Sequence, residues 1–304
     1  MNHTFRKFSS RAVQHIYQRA KDRGVIFYDD IDRLIYFSIA SVMSERYGIS
    51  IHALSIMITH LHQGGVVKRK ESMAKYIQDV GSVFSRAYNH RYSRKGQLFQ
   101  ARFGSSSKTS HKKILELFAY IYNNHVAKEI CKHPIEERWC FLAYAKSNNP
   151  FSKPIIPNQI SNKLKRALSM VSKRRASGTY LRYSDVIRVT NGLSKEEFEQ
   201  FLDYSIVKYM FIDFEGLTSF YNNYDSMVAS FDYVSGSEWQ IKEDYDNFSD
   251  LDYLTLRKIF ENNNWDHTMI FNSSQEKLKS IANDLFLRYG LNILAINKYL
   301  HIKE

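Results

Sequence analysis

Three of the four prolines of the chain fall within a short segment, at Pro150, Pro154 and Pro157. Proline fixes φ and has no backbone N–H, so such a segment opposes both a helix and an inner strand. A chain of 304 residues is also long enough for two domains. We therefore predict a first domain at residues 1–148, a proline-containing linker at 149–160 and a second, mainly helical domain at 161–304.

The two regions differ in charge. Residues 1–150 contain 24 Lys and Arg against 11 Asp and Glu, and residues 151–304 contain 19 against 20, so +13 and −1 make up the total of +12. A basic region beside a neutral one favours a polyanionic partner, most often nucleic acid, because phosphate neutralisation releases condensed counterions. A solvated basic surface that only maintains solubility is the alternative.

Cysteine content and hydropathy bear on the compartment. Cys131 and Cys140 are the only cysteines, too few for a disulfide framework and without metal-ligand spacing, which favours a reducing cytoplasm. The amino terminus has no apolar run of the kind found in export signals, and no segment approaches the roughly 20 apolar residues that span a bilayer. We therefore expect a cytoplasmic protein without a membrane partner.

Strand and helix signals alternate along the first region. Residues 12–19 are rich in strand formers, and Asp29 or Asp30 is placed to cap a helix with apolar residues at helical spacing. Residues 51–62 are apolar on both faces, as expected for one central strand. The glycine pair that follows permits a bend or bulge.

Two more helices are predicted further along the first region. Apolar residues between Met73 and Phe84 recur at helical spacing, and Ser110 is placed to cap a third helix that runs to about Asn124. Between these helices, residues 90–108 form a polar and basic stretch with a short apolar centre.

Four side chains in this scheme point to metal-assisted chemistry. His60 and His62 lie at i and i+2 on the predicted strand, so both imidazoles leave the same face. Tyr120 and Asn124 lie at i and i+4 on the third helix. If this helix packs over the histidines, a phenol oxygen, an amide oxygen and two imidazoles converge. A His-x-His triplet is expected by chance about 0.4 times in a chain of this histidine content, so packing histidines are the alternative.

Five blocks of sequence resemble, in their order, the single-tyrosine HUH transposases, and in particular the REP-associated tyrosine transposases. The blocks are Arg-Ala-Val-Gln-His-Ile-Tyr-Gln-Arg at 11–19, Val-Ile-Phe-Tyr-Asp-Asp-Ile-Asp at 25–32, His-Ala-Leu-Ser-Ile-Met-Ile-Thr-His-Leu-His at 52–62, Gly-Gln-Leu-Phe-Gln-Ala-Arg-Phe at 96–103 and Tyr-Ile-Tyr-Asn-Asn-His-Val-Ala at 120–127. The resemblance covers residues 11–146.

The resemblance implies an α+β fold, with a ferredoxin-like antiparallel sheet and flanking helices, in a homodimer that cuts and rejoins single-stranded DNA beside hairpins. It implies that His60 and His62 bind Mg²⁺ or Mn²⁺, with Asn124 at the position where the family has a Gln or Asn ligand. Tyr120 would be the nucleophile, forming a 5′-phosphotyrosine and releasing a 3′-hydroxyl without ATP. A divalent cation suits this chemistry, because a phenol with a pKa near 10 is a poor nucleophile at neutral pH.

Two features depart from the family pattern. Gln63-Gly64-Gly65 follows the histidines where apolar residues are common, so the strand is expected to end or bulge early. His125 follows Asn124 where proline is usual, and surface exposure is the expected role of His125. Neither departure removes a catalytic group.

A basic segment rich in aromatic residues is the candidate DNA-binding surface. Alternating cations and aromatics are typical of grooves that track phosphates and stack bases. For the aromatic residues Tyr88, Tyr92, Phe99 and Phe103, a place in the core is the favoured interpretation, and a solvated loop is the alternative for the cations. The predicted DNA-binding cations are Arg91, Arg94, Lys95, Arg102, Lys108, Lys112 and Lys113.

The second region gives weaker signals. Residues 160–175 form a basic helix that could contact a duplex stem, and Ser194 and Ser273 begin further helices. A helical packing or oligomerisation region is favoured over base readout. Two alternative functions remain, namely a replication or conjugation nickase with the same chemistry and a domesticated DNA-binding regulator without catalysis.

Overall fold

The computed structural model describes residues 8–232 and 249–302. Four strands form one antiparallel sheet: β1 (Val13–Arg19), β2 (Ile49–Ile56), β3 (His60–Val67) and β4 (Gly104–Lys108). Their order across the sheet is β2-β3-β1-β4, so the first and third strands are central. The predicted α+β fold with a ferredoxin-like antiparallel sheet is confirmed.

Helices cover both faces of this sheet. Helices α1 (Asp30–Tyr47) and α2 (Lys70–Arg91) pack on one face, where Gln63 of β3 hydrogen-bonds to Tyr36 and Tyr76. Helix α3 (His111–Ala127) packs on the opposite face, toward which the side chains of His60 and His62 point. The helix that packs over the histidines is therefore the one whose sequence includes Tyr120.

The helix starts follow the capping signals of the sequence. Asp29 caps α1 through a hydrogen bond from the Asp32 backbone amide at 2.8 Å, and Ser110 caps α3. Helix α1 ends at Gly48, which adopts φ 61° in the left-handed region that favours glycine. The predicted caps of the first and third helices are confirmed.

The prediction of one strand over residues 51–62 is wrong, because the chain turns at residues 57–59 and returns as β3. Strand β3 then continues through Gly64 and Gly65 instead of ending there, and the bulge lies opposite this pair, between Ile51 and Ala53 of β2. A Cβ on Gly65 would lie 2.3 Å from the Ser50 carbonyl oxygen, so glycine allows the two strands to stay paired. In the sequence the glycine pair suggests the end of a strand, whereas in the structure Gly65 is needed for β2 and β3 to approach each other closely.

After α3 the chain forms short 3₁₀ turns between residues 134 and 145, and the second region is a series of helices. The proline segment at residues 146–161 contains neither a helix nor a strand, as predicted. The helices are α4 (Asn162–Ala176), α5 (Tyr183–Thr190), α6 (Lys195–Lys208), α7 (Phe214–Thr218), α8 (Tyr224–Ser230), α9 (Leu251–Asn262), α10 (Thr268–Asn272), α11 (Gln275–Tyr289) and α12 (Ile293–Tyr299).

The start of α6 has the predicted capping box between Ser194 and Glu197, and α11 begins after its cap Ser274. Within the described residues, no helix combines the length and apolar character needed to cross a bilayer.

The proline segment is fixed by hydrogen bonds to α6. The Phe151 amide and the Ser152 hydroxyl both donate to the buried carboxylate of Asp203, at 3.0 and 2.9 Å. Arg138 and Tyr144 donate to the other oxygen of the same carboxylate. The division of the chain into two domains stays a prediction, and contacts such as these join residues on both sides of the proposed linker.

A buried ion-pair network connects α2 to the start of α1. Arg91 donates to Asp29 at 3.1 Å and to Asp32 at 2.9 Å, and the Asp32 side chain is fully buried. The hydroxyls of Tyr92 and Tyr183 also donate to Asp32, at 2.9 and 2.8 Å. Arg91 is therefore a structural residue that holds α2, α1 and α5 together.

The aromatic ring of His267 should make stability depend on pH. This ring lies between Tyr28 and Phe260, with centroid distances of 4.5 and 4.8 Å, and burial lowers its pKa from 6.5 to about 4. As the pH falls below 6.5 the unfolded chain takes up a proton that the folded protein does not. The free energy of unfolding should therefore fall between pH 6.5 and 4, by about 3 kcal/mol for this side chain.

Chemical denaturation of His267→Phe across this pH range checks the expectation. The variant should lose less stability on acidification than the wild type, whereas His90→Phe, which changes an exposed histidine on α2, should keep the wild-type slope. Equal slopes for all three proteins would contradict a neutral, buried His267.

Candidate active site

Strand register places a group of ring side chains on the α3 face of the sheet. In the pairing of β1 with β3, Tyr17 lies opposite His62 and His15 lies opposite Gly64. Opposed residues share a face, and so do residues two apart. A Cβ on Gly64 would lie 2.9 Å from Cδ1 of Ile121, so glycine here lets α3 approach the sheet closely. The close approach brings the helix side chains into contact with the histidines.

The structure brings three of the four predicted chemical groups together. The ring centroids of His60 and His62 are 5.0 Å apart, and those of His62 and Tyr120 are 5.2 Å apart with the rings nearly perpendicular. His62 is fully buried, whereas Tyr120 is 4% and His60 8% exposed. The phenol and both imidazoles thus occupy one narrow space between β3 and α3.

Asn124 follows Tyr120 by one turn of α3 and is also buried. Its amide nitrogen is 2.7 Å from the Tyr120 backbone carbonyl, to which it donates. This hydrogen bond fixes the orientation of the side chain and assigns Oδ1 as the atom that would bind a metal. An amide oxygen is a suitable ligand for a hard cation.

His15 on β1 is a site residue that the sequence analysis did not single out. Its Nε2 is 3.0 Å from Nδ1 of His62, and its ring centroid is 5.7 Å from that of Tyr120. In the sequence, the only indication of the position of His15 was the strand pattern of residues 12–19, in which alternate side chains face opposite sides of the sheet. The pairing register that places His15 next to His62 depends on β3, which the sequence analysis misplaced.

The electrostatic environment favours neutral imidazole. Burial lowers the pKa of His62 well below its usual value, and the neighbouring His15, Arg19 and His125 lower it further. At neutral pH the ring is therefore uncharged. Uncharged imidazole is the form that binds metal ions.

The expected surface exposure of His125 is wrong. Helix α3 continues past Asn124 to Ala127, and His125 is only 3% exposed. Its Nδ1 lies 3.3 Å from the hydroxyl of Ser55 on β2, and burial lowers its pKa. Without a proline to stop the helix, the last turn of α3 packs against the sheet and buries this side chain.

The predicted DNA-binding cations fall into two groups. Arg91 is occupied by Asp29 and Asp32, which argues against a DNA contact. Arg94 donates to Asn89 and to the carbonyls of Gly96 and Gln97, which ties together the turn after α2. The exposed cations are Lys95, Arg102, Lys112 and Lys113, and Lys108 on β4 is partly buried.

The aromatic residues of the basic segment belong mainly to the core. Tyr88 and Phe99 are buried, and so is Tyr92. Phe103 is partly buried and packs against the same core. The favoured interpretation of these four residues as core residues is confirmed.

Comparison with known proteins shows what part of this chain is similar to. Residues 9–124, which contain both histidines, Tyr120 and Asn124, match the family model of IS200-like transposases, so this part of the chain is similar to that family. A solved structure of a REP-associated tyrosine transposase bound to a REP hairpin matches with 15% sequence identity over 46% of this chain and 81% of that chain, with a TM-score of 0.40. No curated protein matches the chain significantly.

Proposed function

We propose that the protein is a single-tyrosine transposase that cuts and rejoins single-stranded DNA near hairpins. The observation that carries the proposal is the contact between Tyr120 on α3 and His62 on β3, at a centroid distance of 5.2 Å. The match of residues 9–124 to the family model of IS200-like transposases supports it. The family match supports the coarser function, DNA transposition, and the chemistry below is the finer part of the proposal.

Tyr120 is the proposed nucleophile. Its phenolic oxygen attacks the phosphorus of a DNA phosphodiester, forming a 5′-phosphotyrosine, while the bond from phosphorus to the 3′-oxygen breaks. The phenolic proton passes to water, and the departing 3′-oxygen takes up a proton to give a free hydroxyl. One phosphodiester replaces another, so the adduct conserves the energy needed for a 3′-hydroxyl to rejoin the strand later without ATP.

His60, His62 and Asn124 would hold a divalent cation. The two imidazoles leave the same face of β3, and Nδ1 of each is already in contact, with Thr59 at 2.9 Å for His60 and with His15 at 3.0 Å for His62. Ligation would therefore use Nε2 of both rings. Two imidazoles and an amide oxygen fit Mg²⁺ or Mn²⁺ with positions left for phosphate oxygens. When bound, the cation would neutralise charge on the scissile phosphate.

Cations beside the histidine face would guide the DNA. Burial and the positive charge of Lys113 both lower the pKa of the Lys108 ammonium group. An anion between them would relieve their repulsion. With Arg102 and Lys112, they form the proposed path of the phosphates toward Tyr120, and Lys95 extends this basic surface.

Removal of the metal or of one ligand should abolish DNA cleavage. Labelled single-stranded DNA from the flanks of the gene is incubated with protein and Mn²⁺, Mg²⁺ or EDTA, and adducts are resolved on a denaturing gel. The wild type should form an adduct with metal and none with EDTA. The adduct yield of His60→Ala should fall by more than the roughly 10–100-fold loss of activity that is typical when a residue supporting a metal ligand is removed.

His90→Ala is the matched control, because His90 is exposed on α2 and far from β3 in sequence. Its adduct yield should equal that of the wild type. Binding without any adduct across all flanking hairpins would instead support the regulator. Adduct formation without rejoining to a second strand would support a nickase.

A homodimer in the cytoplasm remains part of the proposal. Exposed apolar side chains gather where α11 meets α12, including Leu287 at 72% and Leu294 at 49% exposure. Apolar patches of this kind often mark contacts between proteins, which supports self-association.

A further inference from the structure

We propose that the groove between α4 and α5 binds the phosphate backbone of double-stranded DNA, such as the stem of a hairpin. The groove lies outside residues 9–124, which match the transposase family. The inference rests on the proposed function only in taking DNA as the substrate. It assigns to the second region a contact with the duplex part of that substrate.

The groove is open, basic and large. Its volume is about 710 Å³, and five cations line it against a single carboxylate, that of Asp185. The carboxylate accepts hydrogen bonds from Arg174 and Arg188, so it orients two of the cations and neutralises one charge at most. The lining cations are Lys165, Arg166, Lys173, Arg174 and Arg188.

The local sequence concentrates positive charge at this groove. Residues 138–184 contain ten Lys and Arg and no Asp or Glu, in a region whose overall charge is close to neutral. Several of these cations are used elsewhere, since Arg138 pairs with Glu199, Arg175 pairs with Glu45 and Lys163 donates to the Gly192 carbonyl. Lys165, Arg166 and Lys173 remain on the exposed side of α4 and project into the groove.

The shape and composition of the groove favour a duplex over a single strand. Proteins that bind single strands without sequence preference use aromatic rings on which bases stack. Among the described residues that line this groove none is aromatic, and Ser169 carries a hydroxyl of the type that contacts phosphates. Lys165 and Lys173 are eight residues apart on one helix. They are separated by about 12 Å along its axis, close to the width of the DNA major groove.

Charge removal from α4 tests this assignment. The variant Lys165→Gln/Lys173→Gln removes two exposed charges, and Lys277→Gln/Lys279→Gln removes two exposed charges from α11 as the matched control. Glutamine and lysine have similar helix propensities, so both variants should fold like the wild type, as thermal unfolding would verify. Binding to a labelled DNA hairpin and to an oligo-dT strand of equal length is measured in EDTA at several salt concentrations.

The groove variant should bind the hairpin about tenfold more weakly near physiological salt, and its logarithmic salt slope should fall by about 2. The control variant should match the wild type, and oligo-dT binding should be unchanged in both. Equal effects of the two variants would overturn the proposal, and so would equal losses for hairpin and oligo-dT.

Failure of this inference is distinguishable from failure of the proposed function. Adduct formation on an unpaired DNA strand depends on Tyr120 and should be unchanged in the groove variant. A wild-type protein that forms no adduct would overturn the proposed chemistry, while hairpin binding would still decide whether the groove contacts duplex DNA.

Discussion

Replacement of Tyr120 by Phe should eliminate the covalent protein–DNA adduct, with a loss of at least about 10³-fold relative to the wild type. The substitution removes only the hydroxyl. The remaining ring can keep its edge contacts with His62 and His15, at centroid distances of 5.2 and 5.7 Å, so the site should keep its packing. The measurement is the yield of adduct on a denaturing gel with labelled single-stranded DNA and Mn²⁺ or Mg²⁺.

Tyr122 provides a matched control on the same helix. Its hydroxyl donates to the His52 carbonyl at 3.1 Å, and its ring centroid lies 5.1 Å from that of Phe231, whereas the Tyr120 ring contacts His62. Tyr122→Phe should keep full adduct yield and lose about 1 kcal/mol of stability with the hydrogen bond. If Tyr120→Phe retained the adduct while Tyr122→Phe lost it, the assignment of the nucleophile would be wrong. Retention by both variants would exclude either tyrosine.

Removal of Arg91 should be among the most destabilising single substitutions in the chain. The Arg91→Ala variant leaves the fully buried Asp32 without its cation. It also removes the cation that pairs with Asp29, so two neighbouring carboxylates are left without Arg91. Breaking a buried pair by removing one partner typically costs about 3–5 kcal/mol. Urea denaturation should show a loss of this size in the free energy of unfolding, with a lower midpoint and a similar slope.

The neighbouring Lys95 is the control for this substitution. Lys95 is exposed four residues further along, so Lys95→Ala should change stability by less than about 0.5 kcal/mol. Arg91→Lys should give an intermediate loss, because an ammonium cannot reproduce the fork of contacts to two carboxylates. If Arg91→Ala had unchanged stability and bound DNA more weakly, the structural role of Arg91 would be wrong and its predicted role as a DNA-binding cation would be supported.

The sequence predicted those parts of the fold whose signals are local. Asp29 and Ser110 begin helices because their short polar side chains accept hydrogen bonds from the first turn. The i and i+2 spacing of His60 and His62 placed both on one face, and this survived the wrong strand boundaries because both residues belong to β3.

The parts that could not be predicted depend on tertiary contacts. Strand β4 consists of small polar residues with no strand signal, and it forms because β1 offers a free edge. Gly104 is needed there because a Cβ would lie within 1.8 Å of the Tyr17 ring. The pairing of Arg91 with two aspartates about sixty residues earlier and the contact of His15 with His62 are likewise set only when distant segments meet.

The hydroxyl of Tyr28 donates to the carbonyl of Tyr299, across a sequence separation of 271 residues. Tyr28 lies just before α1, whereas Tyr299 belongs to the last helix described. During synthesis on the ribosome this tyrosine stays uncovered until the segment that contains Tyr299 has emerged. Contacts between such distant segments form slowly, because a long loop must close first. The packing around Tyr28 is therefore completed only after the segment that contains Tyr299 has been synthesised, and a chaperone that shields the start of α1 would limit aggregation in that interval.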